Sequence, residues 1–201
     1  MRLILTTAVA SLAIMTAACN NTADDTVDAN MSEDMAMNDM AMNDMAMNDM
    51  NMANDMAMAP MAAADFVAAV AGTDMYEIAA GKLAQTMATM EECKKMGGML
   101  VADHTKSAAD LKTAASAATP PVMVPTAIPA DLQAKLDALK AAKGAAFDKL
   151  FVEQQKEVHQ KALDALQSYA SGGDVPSLKA FAGKGAPVVK AHLDDLKSMK
   201  M

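Results

Sequence analysis

Aromatic residues are scarce in this 201-residue chain: four phenylalanines, two tyrosines and no tryptophan. With few rings to stack on bases and no stripe of basic residues, nothing in the chain suits nucleic-acid binding. Cysteine is scarcer still, with only Cys19 and Cys93. Once Cys19 is used as described below, a single thiol remains, so no internal disulfide can form and stability must come from packing. Cys93 then reads as a small buried apolar residue. Beyond the first residues, no apolar stretch is long enough to cross a bilayer. Hydrolytic machinery is missing too. Ser107 lies one turn from His104, but no third group or oxyanion device accompanies the pair.

The start of the chain is informative. Met1-Arg2 is followed by an apolar run from Leu3 to Ile14, then by small residues ending at Ala17-Ala18-Cys19. A basic start, a short apolar stretch and a small-residue cut site predict a secretory signal peptide over 1–18. A cysteine directly after the cut predicts a bacterial lipoprotein, acylated on Cys19, although Thr16 stands where a leucine is usual. Several acyl chains on one residue give stable anchoring. Asn20, in place of an aspartate, favours the periplasmic face of the outer membrane.

Charge is distributed unevenly. Cys19 to Met61 holds nine acids and no base, whereas Ala62 to Met201 holds sixteen of each sign. The net negative charge thus belongs to the segment 19–61. Within it, Asp-Met-Ala-Met-Asn occurs three times from Asp34 to Asn48 and then decays. A period of five fits neither helix nor strand, and no aromatic or branched residue is there to build a core, so a disordered tether is expected. A coil of this length spans roughly 35 Å. Met-x-Met spacing lets two thioethers reach one soft ion, which makes Met35, Met37, Met40, Met42, Met45 and Met47 candidate Cu(I) ligands. A slippage-prone spacer and a sacrificial oxidation target are the competing readings.

From Asp65 onward, alanine, leucine, lysine and glutamine repeat at three- and four-residue spacing. Helices are predicted over 64–90, 92–118, 130–143, 145–171 and 174–199. A loop with four prolines spans Thr119 to Pro129, and Gly97-Gly98 blurs the start of the second helix. Ser171-Gly172-Gly173-Asp174 reads as stop, turn and N-cap, with Pro176 in the first turn. Four long helices make an all-α bundle over 62–201, large enough for one core.

Helical phase then asks which polar residues face inward. Glu77 falls within the apolar face of Phe66, Val70, Ala80, Ala84 and Ala88. His104 shares a stripe with Met96, Leu100, Leu111 and Ala115, and His192 one with Leu178, Phe181, Val189, Leu193 and Leu196. His159 is expected at the edge of a stripe of Phe147, Leu150, Phe151, Val158 and Ala162. These are the only histidines in the chain, each on a different helix, with a glutamate on the fourth. Buried polar groups are costly unless paired, and bundle interiors are where such side chains hold metals. The di-iron pattern Glu-x-x-His is absent, since Val101 and Val189 stand three residues before His104 and His192. Glu77, His104, His159 and His192 are therefore candidate ligands of a mononuclear transition metal (Cu, Fe or Zn), or members of a metal-free hydrogen-bond network.

Several pieces carry a resemblance: Asp74-Met75-Tyr76-Glu77-Ile78, Met99-Leu100-Val101-Ala102-Asp103-His104-Thr105, Phe147-Asp148-x-x-Phe151, His159, and Pro187 with His192-Leu193. In this order over 65 to about 197, they resemble a large bacterial family of domains of unknown function (family 4142), related to ferritin-like bundles and often labelled as outer-membrane proteins. The resemblance implies a ferritin-like four-helix fold and no established reaction. Members tend to have Phe-Ala at Met96-Gly97, where the glycine is expected to loosen the helix, and tyrosine at Phe151. The methionine-rich tether is outside the family pattern.

Three functions follow as expectations. The first is a non-enzymatic metal-binding or envelope-stress lipoprotein. The second is a metal-dependent oxidoreductase, which needs an open coordination position and a route for substrate. The third is a structural envelope protein that docks an unidentified partner.

Overall fold

In the computed structural model, residues 61–200 are described; the signal segment, Cys19 and the methionines from Met35 to Met47 lie outside the described residues. Five helices and no strand are found there: α1 (Ala63–Met87), α2 (Glu91–Ser116), α3 (Ala130–Ala141), α4 (Ala145–Gly172) and α5 (Pro176–Ser198). They correspond one to one with the helices expected from periodicity.

The helix ends have local causes. Glu91 and Glu92 place negative charge in the first turn of α2, where the helix dipole favours it. The same end is capped from outside by Asp148 of α4. Its buried carboxylate accepts from Thr89 N at 3.0 Å and Met90 N at 3.2 Å, and from the Thr89 hydroxyl. Gly144, at φ 56°, supplies the left-handed turn that lets α4 start directly after α3. Pro176 opens α5 at its first turn. Pro187 lies inside α5 without ending it.

Two expectations are corrected. Asp174 does not cap α5. The N-cap position is Val175, without a side-chain bond, and the Asp174 carboxylate instead accepts from Tyr169 Oη at 3.0 Å. Nor do Gly97 and Gly98 disturb α2, which runs unbroken through them. Gly97 serves contact between helices: a Cβ there would sit 2.6 Å from the carbonyl oxygen of Gly81, and the reverse substitution meets Gly97 at the same distance. The missing side chains let α1 and α2 approach backbone to backbone.

The core divides into two clusters. One joins Tyr76, Ala80 and Ala84 of α1, Met96 and Leu100 of α2, Leu139 of α3, Phe147 and Phe151 of α4, and Leu196 of α5. The other joins Phe66 of α1, Leu111 and Ala115 of α2, Leu166 and Tyr169 of α4, and Leu178, Phe181 and Leu193 of α5. Phe66 stacks on Tyr169 at 4.1 Å between ring centroids and meets Phe181 edge-on at 6.3 Å. The C-terminal half of α1 therefore packs with the N-terminal halves of α2 and α4. Helices α2 and α4 run parallel, and α1 runs opposite to both. A short connection joins each hairpin, α1–α2 and α4–α5, and one long crossover containing α3 joins the hairpins. A four-helix bundle with a single long crossover is the ferritin-like arrangement. Cys93 is buried in the first cluster, as its expected apolar role requires.

Candidate metal centre

Between the two apolar clusters lies a layer of buried polar side chains. Asp74 and Glu77 come from α1, His104 from α2, Gln155 and His159 from α4, and His192 from α5, and all six are buried. Four helices thus turn polar groups inward at one level of the bundle, where desolvation must be met by partners.

The three histidines meet there. Ring centroids are 5.8 Å apart for His104 and His159, 5.9 Å for His104 and His192, and 5.5 Å for His159 and His192. One nitrogen of each ring lies within 4.8 Å of one nitrogen of each of the others. His159 was expected at an edge; it is instead 1 % exposed and central. The reason is that α4 packs against all four other helices. Its buried arc therefore also takes in Gln154, Gln155 and Leu163, wider than one apolar stripe.

Each ring is held from behind. His104 Nδ1 donates to Asp74 Oδ1 at 2.7 Å, His192 Nε2 donates to Asp103 Oδ2 at 2.9 Å, and His159 Nδ1 donates to the carbonyl of Gln155 at 2.9 Å. Where a ring is neutral, its bond sets the tautomer and leaves the opposite nitrogen as the acceptor. On each ring the opposite nitrogen, His104 Nε2, His159 Nε2 and His192 Nδ1, is buried and has no hydrogen-bond partner. Imidazoles oriented by a carboxylate or carbonyl on one nitrogen, with the other free, are the form in which histidine binds metal.

Glu77 stands slightly apart. Its Oε1 is 3.5 Å from His159 Nδ1, on the side away from that ring's free nitrogen, and neither of its oxygens has a hydrogen-bond partner. Among the described residues, the group in mutual ligand reach consists of the three histidines alone.

Electrostatics separates these groups. Burial carries Glu77 up to about 8, against the pull of His104. Burial, followed by the charges of His104 and His192, takes His159 down to about 3. Burial lowers His192 as well, with the Asp103 hydrogen bond opposing it. For His104 burial is outweighed by the Asp74 hydrogen bond and the charges of Glu77 and Asp74, and the net direction is upward. Perturbations of this kind, concentrated at one point, make the layer a candidate functional site.

Sequence reasoning passed over Asp74 and Asp103. Asp74 sits one turn before Glu77 on the same face, so helical phase contained it. Asp103 has a half-exposed side chain, and only the position of α5 shows that it reaches His192. A cleft of about 870 Å³ opens onto Asp74, His104 and His192, and Ser107 also lines it.

The profile of a family described as "Domain of unknown function (DUF4142)" matches residues 47–199, beginning within the methionine repeat. No curated protein and no solved structure shows significant similarity to the chain. The match covers the whole helical bundle and every residue of the centre, and the chain belongs to the DUF4142 family.

Proposed function

We propose that the bundle is a metal-binding domain in which His104, His159 and His192 hold one transition-metal ion. The observation that carries this reading is the set of three buried, partnerless ring nitrogens, each on an imidazole already oriented through its other nitrogen. A metal-free network would leave those three nitrogens buried without partners, which costs free energy at each one. Imidazole donors suit zinc, copper and iron. Glu77, which lies behind His159 and outside the group in mutual ligand reach, contributes as a carboxyl group whose charge balances that of the ion.

In this reading the domain is carried by a lipoprotein anchored through Cys19 at the periplasmic face of the outer membrane. The methionines Met35, Met37, Met40, Met42, Met45 and Met47 add a separate thioether site for Cu(I). Intact mass of membrane-extracted protein tests the anchor: acyl chains on an N-terminal Cys19 are expected, and a free mature terminus overturns it. Elemental analysis of natively purified protein tests the centre. About one ion per chain is expected. Loss of that ion from His159→Ala, with the tether intact, assigns it to the bundle. An equal metal content in the variant sinks the three-histidine reading.

The cleft at the centre favours one secondary reading, a metal-dependent oxidoreductase, because it supplies the route to the ion that such chemistry needs.

A further inference from the structure

The three rings do not face the cleft equally. His104 and His192 form part of its floor together with Asp74 and Asp103, whereas His159 does not line it. An ion held by all three would be reached from the cleft side. Three protein ligands leave a fourth position for an exogenous group, and that position then opens toward the cleft.

The walls describe what would enter. Val70, Val158, Leu166, Phe181 and Val189 make them apolar, and Val188 is one of three large apolar residues exposed among the described residues. Small side chains keep the space empty: Ser107 and Ala114 on α2 face Ala180 and Gly185 on α5. Four lysines lie along the cleft. Lys106 pairs with Asp110, and Lys135 and Lys161 both pair with Glu157. Neither Lys184 nor Asp131, which also lines the cleft, has an ion pair among the described residues. About 870 Å³ is within the usual range of small-molecule sites. A cation held at the floor beneath apolar walls is complementary to a molecule with an anionic donor head and an apolar body.

We propose that the cleft binds a small alkyl monocarboxylate, whose carboxylate takes the open position on the ion while its chain lies against the apolar walls. This rests on the metal-binding reading above. Binding exchanges a metal-bound solvent molecule for a carboxylate oxygen; no covalent bond of the ligand is made or broken and no electron moves.

The test uses the full chain loaded with Co(II), whose visible bands report the coordination sphere, titrated with octanoate and with acetate. Both should shift the bands, and octanoate should bind at least about tenfold tighter, because its extra methylenes leave water. Ala180→Trp, which fills the cleft twelve residues before the nearest ligand of its helix, should keep cobalt and bring octanoate affinity down to that of acetate. Ala180→Leu fills the same space and serves if the tryptophan variant does not fold. Failure of cobalt to bind overturns the metal reading and this one with it. If cobalt binds and neither carboxylate moves its bands, octanoate is no tighter than acetate, or the filled cleft keeps the preference, this proposal alone is overturned.

Discussion

His104 and His192 look equivalent in the sequence, yet their partners differ in a way that sets their energetic roles. The carboxylate behind His104 belongs to Asp74, which is 2 % exposed, while that behind His192 belongs to Asp103, whose side chain is 46 % exposed. Removing the ring of His104 strands a buried carboxylate, and His104→Ala should cost about 3–5 kcal/mol. In His192→Ala the Asp103 carboxylate can turn to water, so the loss should be smaller by at least about 1 kcal/mol. Urea unfolding of the metal-free proteins measures both. Equal losses would mean that Asp74 does not depend on His104.

Glu77 gives a pH signature. Its folded value of about 8 lies above the ordinary 4.5, and that of His104 lies above the ordinary 6.5. Both groups hold a proton when folded that the unfolded chain has released, so their contribution is present at low pH and lost as pH rises through the folded values. His159, at about 3, and His192, also lowered, act in the opposite sense, but only below the ordinary 6.5. From pH 6.5 to about 8 the first pair acts alone, and metal-free protein should lose stability across that window. Glu77→Gln should flatten the slope, as read from urea midpoints against pH. Metal affinity should run the other way and weaken as pH falls, because protons compete for the imidazoles.

At the scale of the helices, the glycine pair of α2 separates contact from propensity. Gly97 faces Gly81 across the α1–α2 seam, and a methyl group would meet a backbone carbonyl that cannot move without the helix. Gly97→Ala should destabilise by roughly 1–3 kcal/mol. Gly98 has nothing within 4 Å of where its Cβ would be. Gly98→Ala should stabilise by about 0.8–1.0 kcal/mol, through helix propensity alone. Opposite signs at adjacent positions are the expected result in thermal unfolding, and a loss in both would show that α2 is strained along this stretch. The seam also bears on the centre, since it sets the distance between Asp74 of α1 and His104 of α2.

For the molecule as a whole, the prediction concerns independence of the segments. Among the described residues the fully buried members of both apolar clusters run from Phe66 to Leu196, with Ala63 and Met199 packed at their margins. Deleting residues 20–61 should therefore leave the thermal midpoint of the bundle nearly unchanged and leave the bundle's ion in place. Calorimetry and elemental analysis of the truncated protein check this. A fall of several degrees would mean that the segment packs on the bundle.

The sequence by itself determined the helices. Runs of good helix formers with apolar residues at three- and four-residue spacing leave few other conformations able to bury those residues, and the long crossover follows from the proline-rich gap between Thr119 and Pro129. It also determined that Glu77, His104 and His192 point inward, because phase along one helix is a local property. Tertiary structure decided the rest. His159 is central because the other four helices close over α4. Asp103 serves His192 across the space between α2 and α5, and Asp148 caps a helix 57 residues before it in the chain. These relations depend on how rigid helices dock, and docking is set by packing between elements rather than by periodicity within one. The same holds for the centre: three histidines on separate helices become a candidate ligand set only once the bundle brings one nitrogen of each within 4.8 Å of the others.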